Sequence, residues 1–168
     1  MNFKQRLNKV TTFIFDVDGV ISGEKVYFFD DKPIKSFNLK DGYAIQLALK
    51  KGYKICIISG SRSEALKERL ARLGVEHLYF MQHDKLACYK DFIDENKLLD
   101  EEILYMGDDL PDWEVMGRVG VPVCPLDASP EIKQISVYIS NRKGGEACVR
   151  DIIEQVMRCQ GKWEISGW

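Results

Sequence analysis

The sequence predicts an α/β protein: a three-layer, doubly wound and mostly parallel sheet. Two observations carry that expectation. Short, fully apolar runs alternate with amphipathic stretches of ten or more residues, the pattern of βαβ units whose sheet is covered on both faces. Three of those runs end in polar residues, Asp16/Asp18, Ser59 and Asp108/Asp109, and a fourth is followed by Lys85 at a helix start. In a doubly wound, Rossmann-like sheet all such strand ends lie along one edge, where sites are made.

Residues 10–16 read as the first strand. Lys25–Phe29 and Ile34–Asn38, joined through Asp30-Asp-Lys-Pro33, read as a β-hairpin placed after it, about residues 25–38. A helix opens at Asp41-Gly42 and stops at Gly52. Tyr53–Ile58 is a second buried strand, followed by a helix from Ser63 to Leu73 with Leu66, Leu70 and Leu73 in register. His77–Phe80 is a short strand and Lys85–Lys97 a helix. Ile103–Met106 is the next strand, and Val115-Met116 belong to a short helix after it. Val121–Cys124 and Val137–Ile139 are the last strands. Gly144-Gly145 precedes a final helix to Gln160, and residues 161–168 read as an irregular tail. Nothing marks a linker or an internal repeat, so residues 1–168 are expected to form one domain.

The 24 basic and 26 acidic residues leave a net charge of −2, which offers no footprint for nucleic acid. No apolar run approaches the roughly 20 residues of a membrane helix, and the first residues lack the apolar stretch of a signal peptide. A cytoplasmic protein is expected. Cys56, Cys88, Cys124, Cys148 and Cys159 are scattered without a Cys-x-x-Cys, so packed, reduced thiols are expected rather than disulfides or zinc.

The motif Asp16-Val-Asp18-Gly ends the first strand. On a continuing strand Asp16 and Asp18 share a face, and two neighbouring carboxylates need a cation, for which Mg²⁺ with its oxygen ligands is suited. Asp108 supplies a third carboxylate from another strand end. The Ser59 hydroxyl, the Gly60 N–H and the Lys85 ammonium are phosphate ligands by type. Each motif alone has an ordinary reading: Ser59-Gly60 as a turn, Lys85 as a solvated helix residue, Asp112 as a cap. The aromatics Tyr27, Phe28 and Phe29 read as hairpin packing, and Trp113 as core.

Taken together and in order, Asp16-x-Asp18-Gly, Ser59, Lys85 and Gly107-Asp108-Asp109-x-x-Asp112 resemble the haloacid dehalogenase superfamily of phosphotransferases. The resemblance implies Asp16 as nucleophile, Asp18 as general acid and base with its main-chain carbonyl on Mg²⁺, and Ser59 and Lys85 on the phosphoryl oxygens. It implies Asp108 as a metal ligand, with Asp109 and Asp112 behind it. The gap from Ser59 to Lys85 has no room for a cap domain. Asp16-Val-Asp-Gly-Val20, Phe37-Asn-Leu-Lys-Asp-Gly42, Gly107-Asp-Asp-Leu-Pro-Asp-Trp113 and Lys143-Gly-Gly-Glu146 further resemble the family of phosphatases for 3-deoxy-D-manno-octulosonate 8-phosphate (KDO 8-phosphate), from Phe13 to Gly161. That resemblance implies a capless homotetramer built on the hairpins, a sugar-acid phosphate as substrate, and KDO supplied to lipopolysaccharide biosynthesis. It also implies that a neighbour's hairpin and tail help cover each site. Asn38, Lys40, Asp41, Gly42 and Arg69 are the sugar contacts it implies. Family members often carry Thr at Ser59 and Arg at Gln46 and Ser61; here Arg69, helped by Arg62 or Arg72, is expected to anchor the carboxylate. A nine-carbon acid phosphate as substrate, a non-catalytic assembly role and an aspartate phosphoacceptor remain as alternatives.

Overall fold

The computed structural model describes residues 2–164. Six strands form one parallel sheet: β1 (Thr12–Phe15), β4 (Lys54–Ile58), β5 (His77–Tyr79), β6 (Ile103–Met106), β7 (Val121–Cys124) and β8 (Tyr138–Ile139). Their order is β5-β4-β1-β6-β7-β8. The remaining two, β2 (Tyr27–Phe29) and β3 (Lys32–Ile34), pair antiparallel as a separate ribbon.

The side-chain alternation of the strands builds the layers. Phe13 and Phe15 of β1 enter a core shared with α2 (Leu39–Lys50), α3 (Glu64–Arg72) and α7 (Cys148–Cys159). Ile14, pointing the other way, joins Tyr89 and Phe92 of α4 (Lys85–Asn96), Val115 and Met116 of α5 (Trp113–Met116), and Ile132 of α6 (Pro130–Ile135). Strands β1, β6 and β7 are buried at every position, which is why, Thr12 at the start of β1 apart, their sequences are apolar rather than alternating.

The chain runs outward from β1 through β4 to β5, then crosses to β6 and runs outward the other way. The order therefore reverses between β1 and β6. A crevice opens beyond the carboxyl ends of strands at such a reversal, so the residues after Phe15 and after Met106 are brought side by side. Only α3 and β5 separate Ser59 from Lys85, so no cap domain is inserted.

Several boundaries differ from the sequence reading. Strand β1 stops at Phe15, so Asp16 and Asp18 both lie in the loop beyond it. Helix α2 starts at Leu39, two residues before Asp41, because Asn38 caps it by accepting from Lys40 N at 2.9 Å. Helix α1 (Phe3–Leu7), closed by an Asn2/Gln5 capping box, and α6, opened by Ser129-Pro130, were not anticipated. The hairpin turn is Asp30-Asp31, both at positive φ, and Pro33 sits in β3 rather than in the turn. Trp113, expected in the core, is 41% exposed. Residues 161–164 are irregular as expected; the rest of the tail, 165–168, lies outside the described residues. All five cysteines are free, and Cys56, Cys88, Cys124 and Cys148 are buried. Among the described residues no helix is long and apolar enough to cross a membrane.

Candidate active site

Asp16 follows β1 directly and is buried. Its Oδ1 accepts from Val17 N at 2.6 Å, and its Oδ2 from Lys85 Nζ at 2.7 Å. Lys85 opens α4 behind the Asp84 cap and reaches into the crevice, buried. It also donates to Asp112 Oδ1 at 2.7 Å. The Tyr105 hydroxyl donates to the same oxygen at 2.6 Å, and Asp108 N donates to Asp112 Oδ2 at 3.1 Å. Both oxygens of Asp112 are thus committed to holding Lys85, Tyr105 and the Asp108 loop.

One carboxylate oxygen from each of Asp16, Asp108 and Asp112 lies within 4.8 Å of the others. Three carboxylates share one ammonium, so the cluster carries surplus negative charge. Burial, then the neighbouring Asp112 charge, pushes Asp16 up to about 6, against the pull of Lys85 and the Ser59 hydroxyl. Burial, then Asp16 and Asp112, pushes Asp108 up to about 8. For Lys85 burial pulls the other way, but the two carboxylates outweigh it and the net shift is upward, so the ammonium stays charged. Such a donor set fits a hard divalent cation on Asp16 and Asp108, which would relieve the repulsion. Asp112, fully engaged, supports that pair from behind.

Two glycines let the loops come this close. A Cβ on Gly19, which also has φ +77°, would lie 1.9 Å from Asp108 Oδ2. A Cβ on Gly107 would lie 2.4 Å from Asp112 Cγ. In this sense the Asp-Gly and Gly-Asp pairs of the two motifs are one packing arrangement.

Asp18 does not join Asp16. Its carboxylate turns toward the hairpin and pairs with Lys35 Nζ, which also donates to Ser61 Oγ at 2.9 Å. Ser59 is buried, and its Oγ accepts from Ser61 N at 3.2 Å; Gly60 is exposed at the same turn. A cavity of about 480 Å³ opens over Asp16, Asp18 and Asp108, walled further by Glu24, Asp109 and Asp127. Sequence reasoning missed Lys35, Glu24 and Asp127. No spacing signal pointed to them, since each comes from a loop or hairpin that only the folded chain brings to the crevice.

The implied sugar contacts lie elsewhere. Arg69, exposed on the last turn of α3, stacks its guanidinium 5.3 Å above the Phe37 ring. Arg62 is exposed, and Arg72 pairs with Glu68 at 3.4 Å. Asn38 and Lys40 line a second cavity of about 580 Å³ with Arg142 and Arg150. Asp41 and Gly42, sugar contacts by the family resemblance, are both buried in the protomer. Asp41 is fully buried, accepts from Arg150 N at 2.7 Å, and burial pushes it up to about 7. Gly42 packs under Phe37, where an added Cβ would lie 3.0 Å from the ring.

No family model matches the chain. Curated relatives do. The 3-deoxy-D-manno-octulosonate 8-phosphate phosphatase KdsC of Salmonella typhi is 35% identical over 158 residues, covering 94% of this chain and 84% of that protein. The chain belongs to the KDO 8-phosphate phosphatase family of the haloacid dehalogenase superfamily. The crystal structure of the Yersinia pestis KDO 8-phosphate phosphatase matches it with a TM-score of 0.91 at 36% identity, over 95% of this chain and 86% of that one. The Moraxella catarrhalis KDO 8-phosphate phosphatase, solved with a magnesium ion, a phosphate ion and KDO, matches with a TM-score of 0.90 at 26% identity, over 94% and 91%. The family's fold and this chain's fold are therefore the same along nearly the whole length. The residues that make the crevice in this chain are Asp16, Asp18, Ser59, Lys85, Asp108 and Asp112.

Proposed function

We propose that this protein is a Mg²⁺-dependent phosphomonoesterase that hydrolyses KDO 8-phosphate to KDO and phosphate, supplying KDO to lipopolysaccharide biosynthesis in the cytoplasm. The observation that carries the reading is the arrangement of Asp16, Lys85 and Asp108 at the ends of β1 and β6, in a chain of this family. A Moraxella catarrhalis family member bound magnesium, phosphate and KDO together, which supports both the cofactor and the substrate class.

Asp16 is the nucleophile in this reading. Its carboxylate oxygen attacks phosphorus, the bond from phosphorus to the sugar's 8-oxygen breaks, and Asp18 delivers a proton to that oxygen. Asp18 then takes a proton from water as the water attacks the phosphoryl group on Asp16, which returns the free carboxylate. Lys85 neutralises one charge beside Asp16, so that an anionic nucleophile can approach a phosphate dianion. Ser59, and the backbone N–H of Gly60 at the same turn, hold phosphoryl oxygens. When bound by Asp16, Asp108 and the carbonyl of Asp18, Mg²⁺ supplies the remaining positive charge at the phosphoryl oxygens. Asp109 and Asp112 support that shell, and Asn38, Lys40 and Arg69 serve the sugar acid.

One phosphatase domain over residues 1–168, assembled as a homotetramer through its hairpins, completes the proposal. Tyr27, Phe28 and Phe29 are 64%, 72% and 68% exposed in the protomer, and a three-residue apolar ribbon of this kind needs a partner. The substrate is tested by measuring phosphate release from KDO 8-phosphate, a nine-carbon 2-keto-3-deoxy acid phosphate and p-nitrophenyl phosphate. The highest kcat/KM is expected for KDO 8-phosphate. Preference for the nine-carbon ester would replace the substrate and leave the chemistry at Asp16 unchanged.

A further inference from the structure

Lys35 stands at the end of β3, where the hairpin returns to the body of the protein. Its ammonium pairs with Asp18 Oδ1 and donates to Ser61 Oγ at 2.9 Å. Its side chain is only 12% exposed, whereas that of Asp18 is 46% exposed. Ser61 is itself buried, and its backbone N–H is held by Ser59 Oγ. The lysine therefore ties together three segments: the hairpin, the loop after β1 and the turn after β4. Asp16 and Asp18, two residues apart, meet different cations: Lys85, shared with Asp112, for the first and Lys35 for the second.

A half-exposed aspartate is free to rotate, and an acid that rotates is seldom where the leaving oxygen needs it. A charge-assisted bond from a largely covered, doubly held ammonium restricts that freedom more than a neutral bond would. Because Lys35 takes Oδ1, Oδ2 is the carboxylate oxygen left free to face the leaving group. We infer that Lys35 is a positioning residue: it fixes the Asp18 carboxylate for proton transfer and makes that transfer depend on the seating of the hairpin. The inference rests on the reading of Asp18 as the acid and base.

The test compares kcat/KM for three esters in the full-length enzyme with Mg²⁺. KDO 8-phosphate and glycerol 3-phosphate have alkoxide leaving groups that need a proton; p-nitrophenyl phosphate does not. Lys35→Met is expected to lose about 10- to 100-fold on both alkyl esters and less than about threefold on p-nitrophenyl phosphate. Lys35→Arg should recover most of the loss, and Lys35→Met added to Asp18→Asn should cost nothing further, since the lysine acts through the aspartate. An equal loss on all three esters would make Lys35 a phosphate ligand or a fold residue, and overturn the inference. A loss confined to KDO 8-phosphate would make it a contact to the sugar acid's carboxylate, and no loss would make it a spectator; either result overturns it as well. Asp18→Asn in the same series separates the two readings. If Asp18→Asn spares the alkyl esters, the acid/base assignment itself fails; if it impairs them and Lys35→Met does not, only the role of Lys35 fails.

Discussion

Asp16 and Asp18 illustrate how much a residue's neighbours add to its identity. Both aspartates were legible in the sequence as candidates, not from Asp-x-Asp-Gly alone, which also fits a strand end and a turn, but from its agreement with Ser59, Lys85 and Asp108 at other strand ends. Their partners were not. The expectation that they share a strand face required β1 to continue, and it ends at Phe15. The loop then sends Asp16 to Lys85 and Asp18 to Lys35. Asp108 lends itself to a direct test. Its carboxyl is held up to about 8 and that of Asp16 to about 6, against 3.8 when unfolded. From about pH 4 to pH 8 the folded, ion-free protein keeps protons that the unfolded chain has lost, so its stability falls as pH rises through that window. Mg²⁺ binds the deprotonated pair, so its stabilising effect grows in the same direction. Calorimetry should show a larger rise in Tm on adding Mg²⁺ near pH 8 than near pH 5. Asp108→Asn should raise the ion-free Tm near pH 8, by removing a repelling charge, and abolish the Mg²⁺ increment. An unchanged increment in that variant would take Asp108 out of the metal site.

Among the elements, the buried strands were the easiest to read. β1, β6 and β7 are buried at every position and, Thr12 apart, apolar, because both their faces are covered. Helices α1 and α6 have five and six residues, too few for a helical period to show, and only their caps announce them. Asp41 was named as a sugar contact by the family resemblance alone; a helix start gives no sign that its carboxylate is buried, accepting from Arg150 N in the first turn of α7. The loop after β6 was legible as a motif but not as packing. Gly107 is needed because Asp112 fills the space a Cβ would take. Gly107→Ala should displace Asp112, leaving the buried Lys85 and Tyr105 short of their shared acceptor. Urea denaturation is expected to show a loss of about 1–3 kcal/mol, accompanied by a fall in kcat. A variant as stable and active as the wild type would mean that Asp112 does not hold Lys85 in place.

For the whole molecule, the sequence yielded the three layers, the missing cap and the crevice edge, since those follow from element order. It could not show what the ribbon touches. Phe28 and Phe29 lie exposed in the protomer beside Tyr27 and Ile34. Light scattering at micromolar concentration should report a tetramer for the wild type and smaller species for Phe28→Asp combined with Phe29→Asp, which would set charges in an apolar contact. A monomeric wild type would count against the assembly. Hydrolysis of KDO 8-phosphate through Asp16 with Mg²⁺ is the claim on which the other readings depend. Phosphate release from that ester should be measured for the wild type with Mg²⁺, for the wild type in EDTA, and for Asp16→Asn with Mg²⁺. The account predicts turnover in the first case, recovery when Mg²⁺ is returned to the second, and a loss of at least about 10³-fold in the third with the circular dichroism unchanged. Turnover by Asp16→Asn within a few-fold of the wild type, with mass spectrometry excluding deamidation, would contradict it.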